Sequence, residues 1–320
     1  MVFRYLSPVW CSPWALNVRN VGTRIHSVQR YRSNHQGCAR TETRVMNTTL
    51  LPQAPLPGSA VPAGSPHATL ESAVRTGAWT APGSLVNFRD IGGIRAATGR
   101  SVRLNKLYRS ASPGYLNDED TVIVRQLGLS TIVDLRTEAE RMADGVAPEG
   151  LGAHVLHVPF IGQLWDHQGV VLDGDAATFL GERYIDMLEV GGPALAEVIS
   201  AIAFRPGPVL VHCMAGKDRT GLVVAAVLAM LGVDETQIVL DYEKTSSAMA
   251  ALRELVALRK PESGLQFSNL PAVFLEAPGD ALRLALGHVR SVSGSMERFL
   301  IERGMGVHTA TMLRNNLLTS

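Results

Sequence analysis

Val209-Leu210-Val211-His212-Cys213-Met214-Ala215-Gly216-Lys217-Asp218-Arg219-Thr220-Gly221 is the stretch on which the reading of this chain turns. The first three residues are apolar and β-branched or aliphatic, as in a buried strand. From Leu222 to Leu231 the chain is apolar over a helical length. Between the two runs, five residues separate a cysteine from an arginine. The pattern predicts a strand, a tight loop and a helix, with Cys213 at the mouth of the helix.

Those residue types suit a loop that wraps a phosphate around a thiolate. A thiolate is the reactive form of cysteine, so the thiol pKa must fall. A helix N-terminus supplies the positive end of a dipole and free N–H groups. Successive N–H groups in a tight loop make an anion-binding nest. Gly216 and Gly221 let the backbone turn and approach closely. Arg219 presents a planar fork that grips two phosphate oxygens at once. Thr220 is placed to donate its hydroxyl to the sulfur. Met214, Ala215, Gly216, Lys217, Thr220 and Gly221 are therefore expected to bind substrate, and Cys213 and Arg219 to do the chemistry. Attack by Cys213 would form a cysteinyl-phosphate that water then cleaves. The bland alternative is a buried cysteine ahead of a helix. It does not account for Gly, Lys, Asp, Arg, Thr and Gly lying together between two apolar runs.

Outward from the loop, Thr131–Leu135 and His154–Pro159 read as further strands. Helical patterns cover 118–126, 176–188, 193–203, 220–231, 234–243, 248–258, 281–289, 295–303 and 310–317. Strands alternating with helices predict an α/β fold around a mostly parallel sheet. Ligands sit at the carboxyl ends of such strands, where Cys213 falls.

The chain has 320 residues, 46% of them hydrophobic and 18% charged, which fits a globular protein with a full core. Its formal charge of +1 is unevenly spread. Residues 1–45 hold seven arginines, no lysine and one acid, leaving a net −5 on the remainder. Nothing there points to nucleic acid. The leader reads in three ways: a transit peptide, a disordered tail, or an extension of the gene model with the start at Met46. The last two are preferred, and the location is then cytoplasmic, or outside the cell without a recognisable signal. Residues 51–67 have linker composition, so 1–83 is expected to be leader and linker and 84–320 the folded domain. No apolar run reaches the length of a membrane span. Cys11, Cys38 and Cys213 are the whole cysteine set, which offers no disulfide framework and no zinc spacing. No metal or cofactor is expected.

Other residues invite attention. Asn87-Phe88-Arg89-Asp90-Ile91-Gly92-Gly93 reads as a structural corner, and Arg109 in Leu107-Tyr108-Arg109-Ser110-Ala111 as a donor to backbone near the loop. Protonating a leaving oxygen needs a carboxylic acid within reach. Asp134, at the end of a buried strand, is one candidate, and it reads equally well as a helix cap. Asp218 is its rival inside the loop. His212 would tune the loop or simply fill the core. Lys217 adds a charge suited to substrates with several phosphates, unless it is a surface lysine. His154, His157, His167, His288 and His308 read as ordinary. The helix-rich tract 246–293 reads as a lid over the loop or as ordinary packing.

Taken in order, these motifs resemble the bacterial and fungal tyrosine phosphatase family of the mycobacterial protein tyrosine phosphatase B type. The resemblance rests on Asn87–Gly93, Leu107–Ala111, Asp134-Leu135-Arg136 with Glu138, Glu140 and Arg141 behind it, and the loop His212–Gly221. Gly294-Ser295-Met296-Glu297-Arg298-Phe299-Leu300 is a looser match. The resemblance runs from about 84 to 318. It implies a cysteine-phosphatase-like α/β domain with extra lid-like C-terminal helices, acting on protein phosphotyrosine, on phosphoserine or phosphothreonine, or on phosphoinositides. Cys213 would be the nucleophile, Arg219 the clamp, and Lys217 and Asp218 the family's distinctive loop pair. A phosphoinositide or inositol-polyphosphate phosphatase is the main alternative. A phosphate-binding pseudoenzyme, or sulfur or arsenate transfer, are the remaining classes.

Overall fold

In the computed structural model the described residues are 84–162, 175–259 and 272–320. The leader, the linker, Cys11, Cys38, His167 and residues 260–271 of the helix-rich tract lie outside them. Five strands form one sheet: β1 (Arg89–Asp90), β2 (Leu107–Ser110), β3 (Thr131–Asp134), β4 (His154–His157) and β5 (Val209–His212). Their order is β1-β2-β5-β3-β4, antiparallel between β1 and β2 and parallel elsewhere. β5 is central, and all four of its residues are buried.

Helices cover the sheet: α1 (Asp118–Arg125), α2 (Glu138–Asp144), α3 (Ala176–Phe204), α4 (Asp218–Met230), α5 (Glu235–Glu243), α6 (Thr245–Arg259), α7 (Gly279–Ser293), α8 (Met296–Ile301) and α9 (Thr309–Leu317). This is the mostly parallel α/β architecture expected of the sequence. The start signals are local. Asn117 and Asp175 accept from the amides of Asp120 and Thr178, and Thr137 and Glu140 form a capping box on α2. The buried faces of α3, α4 and α7 form much of the main core.

Two expectations change. β1 and β2 were not legible as strands, because the first has two residues and the second carries Arg109 and Ser110 inside a fully buried run. The separate helices 176–188 and 193–203 are one helix of 29 residues that runs through Pro193. A Cβ on Gly191 would stand 2.9 Å from the Phe160 ring, and one on Gly192 would stand 2.6 Å from Arg303 Nε, so neighbours close on both. The joined helix has the length and composition of a membrane span, which neither half has alone. Over half of its apolar stretch is buried, and it packs against α7, α9, α4 and α8.

Register positions the site. Arg109 and Asp134 sit beside Val211 and His212 on the strands flanking β5, and Ser110 is level with His212. The loop 213–217 leaves this carboxyl edge and runs directly into α4.

Candidate active site

The loop is best understood by accounting for its backbone groups. Every carbonyl from Met214 to Lys217 is taken. Met214 O accepts from Ser112 N at 2.9 Å, and Lys217 O from Gly221 N at 2.8 Å. Asn87 Nδ2 donates to Ala215 O and Gly216 O at 3.0 and 2.9 Å. Arg109 Nη2 donates to Gly216 O at 2.7 Å. The amides of Met214–Lys217 meet no acceptor among the described residues. Buried amides are rarely left unpaired, so carbonyls held outward and amides left over make an anion nest at the start of α4.

Gly216 makes the turn possible. Its φ is +65°, and a Cβ there would overlap the Ser110 carbonyl and stand 2.7 Å from Ala111 N. Gly221 is different. It lies inside α4, where a Cβ would meet Tyr242 Cδ2 at 3.1 Å. It sets the approach of α4 to α5, and its amide donates to Lys217 O rather than standing free like those of the loop.

A buried ionic brace stands behind the loop. Asn87, at φ 59°, is fixed by Arg89 Nη1, which donates to its Oδ1 at 2.5 Å. Arg89 Nε and Arg109 Nη1 donate to the two oxygens of Asp241, each at 2.8 Å. Burial pushes the Asp241 pKa up, but the charges of Arg89 and Arg109 outweigh it and hold it at about 2. Burial, together with the charge of Arg89, lowers Arg109 to about 10. The structural reading of Arg109 holds. That of Arg89 holds too, with a local bond to Asn87 and a second partner, Asp241, 152 positions away. Asp90 stays local, accepting from the amides of Gly92 and Asn105 at 2.7 Å.

Arg219 is held by a residue for which the sequence suggested no such role. Its Nη1 and Nη2 donate to Glu140 Oε2 and Oε1 at 2.6 and 2.7 Å. Both side chains are 8% exposed. Burial raises the Glu140 pKa, yet the Arg219 hydrogen bonds and charge bring it below its ordinary value. Burial lowers Arg219, and the same bonds, with the charge of Cys213, more than reverse this. Cys213 is buried at the end of β5 as a free cysteine. Thr220 Oγ1 is buried and has no partner among the described residues, which leaves its hydroxyl available to the loop.

Asp134 does not have the surroundings of a proton donor. Arg136 Nε and Nη2 grip its two oxygens at 2.9 and 2.7 Å, and the Arg136 amide adds a third bond. Burial raises its pKa, and Arg136 and His212 more than offset the rise. A carboxylate so engaged anchors the β3–α2 turn, and the cap of α2 is Thr137 rather than Asp134. His212 is fully buried, and burial lowers its pKa to about 4, so its ring is neutral. Its Nδ1 lies 3.1 Å from Cys213 O, a carbonyl that can only accept, which fixes the proton on Nδ1.

Lys217 is not a surface lysine. It is 1% exposed, and its Nζ donates to Glu276 O at 2.8 Å and lies 3.2 Å from Asp218 Oδ1. Asp218, at the first position of α4, is partly exposed. Tyr184 donates to Asp218 Oδ1 at 2.6 Å. Within the tract read as a lid, Met249, Leu252, Leu255 and Val256 of α6 form an apolar cluster with Ala111 and Tyr115, against which Met214 and Ala215 pack. Among the described residues no three His, Cys, Asp or Glu side chains converge as a metal site.

The structure thus brings Cys213, Arg219, Thr220, Lys217, Asp218 and the loop amides together, and it sets Asp134 aside in an ion pair. Asn87, Glu140, Asp241, Tyr184 and Tyr242 support the loop, and sequence reasoning missed their parts. Asn87 and Glu140 lie in motifs that had drawn attention, whereas Asp241, Tyr184 and Tyr242 sit on helices without a local signal.

A model described as the tyrosine phosphatase family matches residues 82–319. Over 280 residues the chain is 32% identical to the triple specificity protein phosphatase PtpB of Mycobacterium tuberculosis, covering 76% of this chain and 97% of that protein. It is 30% identical over 227 residues to a tyrosine-protein phosphatase of Cupriavidus necator, covering 68% of this chain and 81% of that one. A tyrosine-protein phosphatase of Nostoc commune is 30% identical over 159 residues, covering 46% of this chain and 50% of that one.

Proposed function

Because the chain belongs to the tyrosine phosphatase family, we propose that it hydrolyses phosphotyrosine in proteins through a cysteinyl-phosphate on Cys213. The activity extends to phosphoserine, phosphothreonine and phosphoinositides. The observation that carries this reading is the loop itself: its carbonyls are all braced and its amides unpaired, around a cysteine and a fixed guanidinium.

The steps follow from the groups present. The Cys213 thiolate attacks phosphorus, and the bond from phosphorus to the tyrosyl oxygen breaks. Charge on the transferring group is spread over its equatorial oxygens. The loop amides and the Arg219 fork meet those oxygens without reorganising. Asp218 gives its proton to the departing oxygen. A water then attacks phosphorus and returns a proton to Asp218. The sulfur–phosphorus bond breaks, and thiolate and inorganic phosphate are released. Asp218 takes this role over Asp134 because it is partly exposed at the loop mouth, while Asp134 is tied to Arg136.

The test is turnover by the purified protein on phosphotyrosine peptide, phosphoserine peptide and a phosphoinositide. Phosphotyrosine hydrolysis lost in Cys213→Ser is the expected result, with inorganic phosphate still bound, because the nest does not depend on sulfur. Turnover retained by Cys213→Ser overturns the mechanism. A strong preference for phosphoinositide over phosphotyrosine makes the lipid reading primary. Lys217 favours that second reading, since its buried ammonium adds a positive charge beside the loop.

A further inference from the structure

Three hydroxyl and carboxyl groups from three helices lie in a line that ends at the loop. Tyr242 of α5 and Tyr184 of α3 have hydroxyl oxygens 2.6 Å apart, and Tyr184 is 2.6 Å from Asp218 Oδ1. The rings meet edge to face, their centroids 6.1 Å apart. Tyr184 is 0% and Tyr242 1% exposed. Phenylalanine at either place would fill the same space without burying a hydroxyl, which is costly unless it is bonded. The hydroxyls therefore require a reason beyond packing.

The direction of the chain is set by its end. A carboxylate oxygen only accepts, so Tyr184 donates to Asp218, and the Tyr184 oxygen accepts from Tyr242. Burial, followed by the charge of Asp218, holds both phenols above their ordinary pKa, so both remain donors. Tyr242 stands close against Gly221 of α4. The charged groups around the line are Lys217 and Arg219 beside Asp218, and Arg109 of β2 and Glu243 of α5 near Tyr242.

We propose that Tyr184, backed by Tyr242, is a positioning residue for Asp218. This rests on the reading of Asp218 as the proton donor. The bond to Oδ1 orients the carboxyl and leaves Oδ2 to carry the proton. When that proton passes to the leaving oxygen, the new carboxylate charge on Oδ1 is already bonded by Tyr184, and hydrogen bonds in series strengthen one another. When water attacks, Oδ2 takes the proton back.

The experiment is the pH dependence of kcat/KM on a phosphotyrosine peptide for the full chain. Under this proposal the profile has a basic limb that depends on Asp218. In Tyr184→Phe the carboxyl lacks its donor, so that limb moves to higher pH and kcat falls. KM stays unchanged, and Tyr242→Phe moves the limb the same way by less. In an Asp218→Asn background Tyr184→Phe causes no further loss of kcat. A basic limb that stays in place in Tyr184→Phe, while Asp218→Asn erases it, overturns the proposal and leaves the acid assignment standing. A limb and kcat unchanged in Asp218→Asn overturn the acid assignment itself. An equal loss of kcat from Tyr184→Phe in both backgrounds marks general loosening and also overturns it. If Tyr184→Phe does not fold, an unmoved limb in Tyr242→Phe decides against the proposal.

Discussion

Replacing Glu140 by glutamine should separate the part of the site that holds Arg219 from the part that merely builds a helix. Glu140 accepts both Arg219 nitrogens at 2.6 and 2.7 Å, and the pair is 8% exposed on each side. Glutamine keeps one acceptor and turns an amide N–H toward a guanidinium N–H. Removing one partner of a buried ion pair costs about 3–5 kcal/mol. For a domain of this size that is a fall in Tm of roughly 6–20 °C. The loss in chemistry is separate. An Arg219 fork that is no longer pinned forfeits about 1.5–3 kcal/mol of charge-assisted hydrogen bonding to the transferring group, or roughly 10- to 100-fold in kcat. Inorganic phosphate should inhibit correspondingly less well. Glu140 also belongs to the capping box, so Thr137→Ala is the control: it removes the cap, worth about 1 kcal/mol, and leaves the Arg219 pair intact. Steady-state kinetics, phosphate inhibition and thermal melts of the two variants decide the matter. Equal kcat losses in both variants would mean that Glu140 acts only through α2, and an unaltered phosphate affinity in Glu140→Gln would refute the clamp.

Gly216→Ala places a methyl group against the Ser110 carbonyl at a φ of +65°, so it should cost roughly 3 kcal/mol or more and abolish phosphate binding; calorimetry with inorganic phosphate checks this, and intact binding would contradict the turn geometry. Asp241→Asn leaves Arg89 and Arg109 without their shared counter-charge, and denaturant titration should show a loss of about 3–5 kcal/mol; a loss near zero would show that the brace is dispensable. His212 sets an acid limit to stability. Its pKa falls from 6.5 to about 4 on folding, so between those values the unfolded chain binds the extra proton, and stability declines as pH drops through that window. The decline amounts to about 3 kcal/mol, and His212→Gln should remove that part of the pH dependence in melts run from pH 7 to 4.

Local chemistry explains what could be read without coordinates. The strand–loop–helix around Cys213 is continuous in the chain, its spacing is set by one turn of backbone, and glycine at 216 has no substitute there. The central strands β3 and β5 and most helices were visible in the same way, since apolar period and caps are near-neighbour properties. β1 was not, because two residues carry no period and it exists only by pairing with β2, and β2 was not, because Arg109 and Ser110 interrupt its apolar run and it is held by register with β5.

The two candidate proton donors show the other limit. Asp134 and Asp218 were equivalent in the chain, and the fold separates them: Arg136 closes on one, while the other stands at the mouth of α4 under Tyr184. The sequence likewise placed the start of a separate helix at Pro193, and the structure joins it to the helix before it.

The sequence by itself determined the candidate nucleophile, the candidate clamp and the layered α/β plan, because each depends on residues joined by a few peptide bonds. Only the tertiary structure decided what holds the loop open: Asn87 and Arg109 on its carbonyls, Glu140 on Arg219, Asp241 between two arginines, and Tyr184 on Asp218 with Tyr242 behind it. These partners lie from 34 to 152 positions apart along the chain. A buried polar group is satisfied by whichever element the core brings beside it, and that is a property of packing rather than of spacing.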